Sequence, residues 1–391
     1  MLTTLPKRRR FLADNKMIES FEIENFRCFE KVSLSRLSRI NIIVGNNASG
    51  KTALIEALRT AIAGIPLVFI MLNNFRGLHF LLPQPPEQRH FDSLWLHYFK
   101  EQEITQPIKL SIVNSEGEKA SVRIFYDVRP ATSATTTSTA AVSNVMSIAG
   151  AGSQIIFPIP AISPTVPITP IAFERTHFNG AKDTLYIFVN QQGQVIAMPG
   201  PELGPSTVFF PFISAYSEQE TISRYSQAIE EKGGKKRVLD LLHRIYPIIE
   251  DIESITKIEI APQKLYVSLP GHSKLQALTL VSSGIYKFFS IMLGIMSAKN
   301  GVVLIDEIEN GIFHSCHQEI WRLILELSKE NNCQIFATTH SNECLVALAT
   351  ASQDNPDDIS LIRNEMSEGT ANIKHLRGAS TLTAIKKVEV R

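Results

Sequence analysis

The stretch Asn41–Leu58 reads NIIVGNNASGKTALIEAL: an apolar run breaks into Gly, Asn, Ser and Gly, and apolar residues then resume at a different spacing. Ile40, Ile42, Ile43 and Val44 form a short β-branched run, which predicts a buried strand. Ala53, Leu54, Ala57 and Leu58 recur at helical spacing, which predicts a helix. Between the two lies Gly45-x-x-x-x-Gly50-Lys51-Thr52, the spacing of a phosphate-binding loop. Its glycines let the backbone curl until several N–H groups converge on one anion. The helix that starts there adds the positive end of its dipole. Lys51 is then expected to reach the β- and γ-phosphates of a nucleotide, and Thr52 to place its hydroxyl on Mg²⁺. A chance match in a Gly-rich turn would not explain the strand before it and the helix after it.

Hydrolysis needs a carboxylate at the end of a neighbouring buried strand, and GVVLIDEIENGIFH (301–314) supplies one. Val302–Ile305 predict the strand, Asp306 is placed to complete a Mg²⁺ shell, and Glu307 is placed to polarise an attacking water. A strand simply meeting solvent would also end in acids, but here a phosphate loop lies upstream. In QIFATTHSNE (334–343), a second strand ends in Thr338-Thr339-His340-Ser341. A histidine at the carboxyl end of a strand sits where α/β sheets bind ligands, so His340 is a candidate partner of the γ-phosphate or the water. In TLVSSGIYKFFSIML (279–293), Ser282-Ser283-Gly284 opens an apolar helix. The spacing fits either an anion site or a plain N-cap.

The chain has 391 residues with a formal net charge of +1. That length allows one large or two ordinary domains, and the charge gives no global pull toward nucleic acid or membrane. The compact basic clusters Lys7–Arg10 and Lys235–Arg237 read as solvated segments. Cys28, Cys316, Cys333 and Cys344 lack metal-ligand spacing and read as reduced thiols of a cytoplasmic protein. The basic N-terminus has no apolar h-region after it, the apolar patch Ile62–Leu72 is too short to span a bilayer, and Met17 is an alternative start. His314 and His317 lie three apart, with no third ligand apparent for a metal.

Alternation in Met17–Leu34 suits two paired strands at a sheet edge, and Ile108–Val128 suits a hairpin around Ser115-Glu116-Gly117. Residues 129–205 read as an irregular Ser/Thr/Pro-rich insertion, with a small hairpin at Leu185–Val189 and Val195–Met198. Ser217–Glu253 is helical in period, and strands and helices alternate from Ile255 onward. The expected organisation is therefore a nucleotide-binding domain in two parts, 17–128 and 206–391, separated by the 129–205 insertion.

Gly45-Asn46-Asn47-Ala48-Ser49-Gly50-Lys51-Thr52 resembles the GxNGSGKS/T loop of ABC-type ATPase heads, with Ala48 in place of a glycine. Val281-Ser282-Ser283-Gly284 resembles their signature motif, with Ser283 in place of a glycine and no Gln or Glu following. Asp306-Glu307 matches Walker B, Glu309-Asn310-Gly311 occupies the D-loop position, and Thr339-His340-Ser341 resembles the switch histidine. IENFRCFEKVSL resembles the opening strand pair of RecF, SMC and OLD-like ATPases. The chain is similar to the stand-alone ATPases of the OLD/RecF-like group. That resemblance implies an α/β P-loop NTPase of ABC-ATPase-head type: a mixed β-sheet with flanking helices, an antiparallel β subdomain and a helical signature subdomain. A Q-loop glutamine is expected too, with Gln84, Gln88 and Gln102 as candidates.

The resemblance further implies a homodimer packed head to tail, with ATP and Mg²⁺ between the phosphate loop of one chain and Ser282–Gly284 of the other. It points to an ATP-switched protein in phage defence or DNA repair, working with an effector such as a nuclease encoded nearby, with weak DNA binding and no membrane partner. An ATP-binding scaffold with little turnover and a transporter motor are the alternatives. Long coiled-coil arms are disfavoured because no heptad run interrupts the chain. An appended nuclease domain is disfavoured because only about fifty residues follow His340, too few for a compact domain.

Overall fold

The computed structural model describes residues 17–78, 82–83, 85–128, 168–190, 192–211, 218–255, 263–367 and 370–386. Gln84, the Lys7–Arg10 cluster, most of the Ser/Thr/Pro-rich tract and the turn at Pro262 lie outside them.

The central sheet contains β3 (Ile40–Val44), β9 (Thr207–Phe210), β13 (Val302–Ile305), β14 (Gln334–Thr338), β15 (Ile359–Ser367) and β16 (Thr370–Arg377). Its order is β16-β15-β3-β14-β13-β9. All neighbours are parallel except the β15–β16 pair. Parallel strands need cover on both faces, and the continuous apolar runs provide for it. Ile42, Val303, Ile305, Ile335 and Ala337 face one core, while Ile43, Leu304, Phe336 and Ile362 face a second.

The second core lies between this sheet and an antiparallel one. The antiparallel sheet comprises β1 (Ile18–Phe26), β2 (Phe29–Ser35), β4 (Ile108–Asn114), β5 (Lys119–Tyr126), β6 (Ile171–Thr176), β7 (Lys182–Val189) and β8 (Val195–Ala197), ordered β2-β1-β4-β5-β6-β7-β8. Helix α1 (Lys51–Ala63) is sandwiched between the two sheets, so all its residues except Thr52 are buried. A helix buried all round needs apolar residues beyond a single stripe, and Ala53, Leu54, Ile55, Ala57, Leu58, Ala61 and Ile62 provide them. Two further helices on this side, α2 (Leu67–Phe75) and α3 (Gln88–Asp92), contribute Phe69 and Phe91 to the same core.

The first core is covered by helices. They are α4 (Glu218–Glu230), α5 (Gly234–His243), α6 (Leu278–Val281), α7 (Ser283–Ser297), α8 (His317–Glu330), α9 (Asn342–Ala351) and α10 (Ala379–Lys386). A small sheet of β10 (Asp251–Ile255), β11 (Lys264–Ser268) and β12 (Gln276–Ala277) packs beside α4 and α6. The architecture is the α/β P-loop type expected: a mixed sheet, an antiparallel β layer and a helical lobe.

One expectation is corrected. Residues 171–197 fall within the stretch read as an irregular insertion, yet they form β6, β7 and β8. Strand β5 would otherwise be an edge with unpaired N–H and C=O groups. β6 pairs along it, with Ile124 opposite Phe173, and buries Ile171 and Phe173 completely. The neighbouring prolines and threonines dominate the composition and mask this short apolar alternation. The β7–β8 pairing itself coincides with the predicted small hairpin.

Candidate active site

The phosphate loop joins β3 to α1. Gly45 has φ 151°, and a Cβ there would lie 2.1 Å from the Asn364 carbonyl oxygen on β15. Only glycine fits that approach. Ala48 stands where the resembling loops carry glycine, and it adopts the left-handed conformation at φ 62°, a geometry that costs a non-glycine residue about 1 kcal/mol or more. Asn46, Asn47 and Ala48 form the exposed crest, while Ser49 is buried beneath it. The loop is closed by Ser49 N donating to Asn46 O at 3.2 Å. Lys51 is mostly buried, and its ammonium donates to the carbonyls of Gly45 (2.9 Å) and Asn46 (3.0 Å). Burial holds its pKa below the usual lysine value, opposed by the carboxylates of Glu307, Asp306 and Glu309.

The ends of three adjacent parallel strands converge on this loop. Thr52 Oγ1 donates to Asp306 Oδ2 at 2.9 Å, which joins the first turn of α1 to the end of β13. Thr338 Oγ1, at the end of β14, donates to Asp306 Oδ1 at 2.6 Å. Both carboxylate oxygens of the buried Asp306 are thus oriented. Thr52 and Asp306 present hard oxygen donors side by side, the donor chemistry that Mg²⁺ takes. A cleft beside this pair is lined by Glu56, Phe75, Arg76, Phe209 and Pro211.

Glu307 follows in the left-handed conformation at φ 48°. Its backbone N–H donates to Thr338 Oγ1 at 2.7 Å. Its carboxylate is partly exposed, and its pKa is raised, first by burial and then by the neighbouring Glu309 and Asp306, against a lowering by His340. His340 is anchored twice to the buried Glu309: its backbone N–H donates to Oε1 at 2.8 Å, and Nδ1 lies 2.9 Å from the same atom. Nδ1 is also 3.8 Å from the Glu307 carboxylate. The structure therefore brings Lys51, Thr52, Asp306, Glu307 and His340 into one cluster. A carboxylate with a raised pKa beside an exposed histidine is suited to accept and pass on a proton.

Ser282 is the N-cap of α7, its hydroxyl accepting from Ile285 N at 3.3 Å. Gly284 packs against the D-loop: a Cβ there would lie 2.0 Å from the Gly311 carbonyl oxygen. The two remaining Q-loop candidates are engaged elsewhere or exposed. Gln88 accepts from Thr169 N at 2.7 Å and donates to Asp92 at 2.7 Å, and Gln102 is exposed. His317 is buried and His314 is not, and no group of three metal-ligating side chains occurs among the described residues.

Lys287 was not singled out by sequence. It is 5 % exposed, lies on α7, and its ammonium donates to the Glu307 carbonyl. Burial pushes its pKa down to about 8, against Glu309, Glu307 and Asp306, which raise it. The available signal was a single cation in the otherwise apolar run Ile285–Met296.

The AAA ATPase domain model matches residues 17–63 and 213–345. An ATP/GTP phosphatase of Helicobacter pylori is 22 % identical over 347 residues, spanning 85 % of this chain and 87 % of that protein. The DNA replication and repair protein RecF of Hydrogenovibrio crunogenus is 49 % identical over 47 residues, only 13 % of its own length. The SMC head domain from Thermotoga maritima aligns over 92 % of this chain and 99 % of that one, with a TM-score of 0.42 and 14 % identity. The phosphate loop and the Asp306–Glu307 strand end fall within the segments that the AAA ATPase domain model matches, and over those segments the chain is similar to AAA-type ATPases.

Proposed function

We propose that this protein is an ATP-hydrolysing switch that works as a homodimer. The observation that carries the reading is the convergence of Thr52, Asp306, Glu307 and His340 at the ends of three adjacent parallel strands. The loop Gly45–Thr52 wraps the phosphates with its backbone N–H groups, and Lys51 leaves the loop carbonyls for the β- and γ-phosphates. Thr52 and Asp306 would hold Mg²⁺, which supplies charge neutralisation to the transferred phosphoryl group. The Glu307 carboxylate orients the attacking water and takes its proton. His340, fixed by Glu309, donates a hydrogen bond to the γ-phosphate side.

The dimer reading accounts for the signature turn. Ser282–Gly284 is held rigidly by the Ser282 cap and the Gly284–Gly311 contact, and it presents a helix N-terminus outward. In a head-to-tail pair that N-terminus would meet the γ-phosphate on the other chain. Light scattering with a non-hydrolysable ATP analogue is expected to double the mass of the wild type and leave Ser282→Arg monomeric, because the arginine adds bulk where phosphate belongs. An analogue-induced dimer in Ser282→Arg would disprove the shared site.

The short match to a DNA replication and repair protein supports a role in DNA repair; phage defence with an effector such as a nuclease, in the cytoplasm, rests on the OLD/RecF-like sequence resemblance. All four cysteines are free, and no helix among the described residues is long and apolar enough to cross a membrane. With a net charge of +1, duplex DNA binding is expected to be weak and strongly salt-dependent. Fluorescence anisotropy should show it fading between low and physiological salt. Tight sequence-specific binding by the isolated chain at physiological salt would contradict the charge argument.

A further inference from the structure

The signature turn and the proposed base belong to different elements, α7 and the end of β13, yet one buried side chain spans them. Lys287 lies on α7, five residues after the Ser282 cap, and its ammonium donates to the main-chain carbonyl of Glu307. Glu307 needs external support, because φ 48° is a conformation that a non-glycine residue holds only when its surroundings enforce it. Thr338 Oγ1 accepts from its N–H, and Lys287 donates to its C=O. Both peptide groups flanking the Glu307 side chain are therefore anchored, one to β14 and the other to α7. Lys287 also stands among three carboxylates, Asp306, Glu307 and Glu309, and is a buried cation facing that negative charge. Burying an ammonium costs several kcal/mol unless it is compensated, so a lysine used only for packing would be a poor choice in this apolar helix.

We propose that Lys287 is a positioning residue for hydrolysis: it fixes the backbone of Glu307 from the signature helix, so that the placement of the base depends on the placement of α7. The start of that helix is locked to the D-loop through Gly284 and Gly311. Any displacement of Ser282–Gly284 by a ligand is thus transmitted to the Glu307 carbonyl through one rigid turn and a half of helix. The inference rests on the reading of Glu307 as the base, and it adds a residue that acts through Glu307 without touching the nucleotide.

The test compares Lys287→Met, which keeps the length and removes the charge, with Lys287→Arg, which keeps the charge. Single-turnover hydrolysis and MgATP affinity are measured on each. Lys287→Met is expected to bind MgATP within about threefold of wild type and to hydrolyse it about a hundredfold more slowly, with Lys287→Arg recovering at least about tenfold of that loss. In the Lys287→Met/Glu307→Gln double variant the losses should not multiply, because both act through one carboxylate. Wild-type hydrolysis in Lys287→Met overturns the proposal, and so do fully multiplicative losses. Loss of nucleotide binding together with loss of helical circular dichroism in both single variants would assign Lys287 to folding instead, which also overturns it. If Glu307→Gln alone hydrolyses normally, the reading of Glu307 is what fails. If Glu307→Gln is inactive and Lys287→Met is not, only the role of Lys287 fails.

Discussion

Glu307→Gln is expected to bind MgATP like the wild type and to turn it over about a hundredfold or more slowly. The substitution keeps the side-chain shape and one acceptor oxygen but removes the charge that accepts a proton. It leaves the contacts most relevant to binding untouched: Thr52 with Asp306, Thr338 with Asp306, and Lys51 with the loop. The backbone of residue 307 stays anchored as well, since Thr338 and Lys287 hold its N–H and C=O, not its carboxylate. Burial and the adjacent carboxylates raise the Glu307 pKa, which makes it a stronger base than a solvated glutamate, and a neutral amide cannot replace that. With shared sites, the unhydrolysed nucleotide should also lock two chains together, visible by light scattering as a dimer persisting in ATP. Phosphate release at the wild-type rate would remove Glu307 from the base role.

Lys51→Ala is expected to weaken MgATP binding about a hundredfold or more, because it removes the cation that compensates the β- and γ-phosphates. The fold should tolerate the change. Among the described residues the Lys51 ammonium hydrogen-bonds to the Gly45 and Asn46 carbonyls at the loop rim, and burial already disfavours its charge in the free protein. Isothermal calorimetry separates the outcomes: equal affinity in the variant would end the phosphate-loop assignment, whereas lost affinity with an unchanged melting temperature would support it. The contrast with Glu307→Gln is the informative part, since one variant should lose binding and the other turnover.

The phosphate loop and the Asp306-Glu307 pair were legible because their chemistry is local. A strand, a curl of backbone and a helix N-terminus need residues contiguous in the chain, so spacing alone specifies them. The alternation of Ile108–Val128 and the helical period after Ser217 were legible for the same reason. Strand β6 was not, because its stability comes from covering the edge of β5, a partner about fifty residues away in the chain. The Q-loop candidates show the same limit: glutamines are common in polar segments, and nothing in the spacing of Gln88 predicts its bond to Thr169.

The sequence by itself determined that a Gly-rich loop joins a buried strand to a helix, that Lys51 and Thr52 open that helix, and that acids follow a buried strand. Each of these is a property of one short segment whose backbone conformation is set by its own glycines and β-branched residues. Only the tertiary structure decided that β3, β14 and β13 lie side by side, which places Thr52, Thr338 and Asp306 in one hydrogen-bonded chain across 286 residues of sequence. It also decided that Lys287 ends at the carbonyl of Glu307. A lysine in an apolar helix carries no sign of its partner, because burial and charge compensation belong to the packed protein and not to the segment.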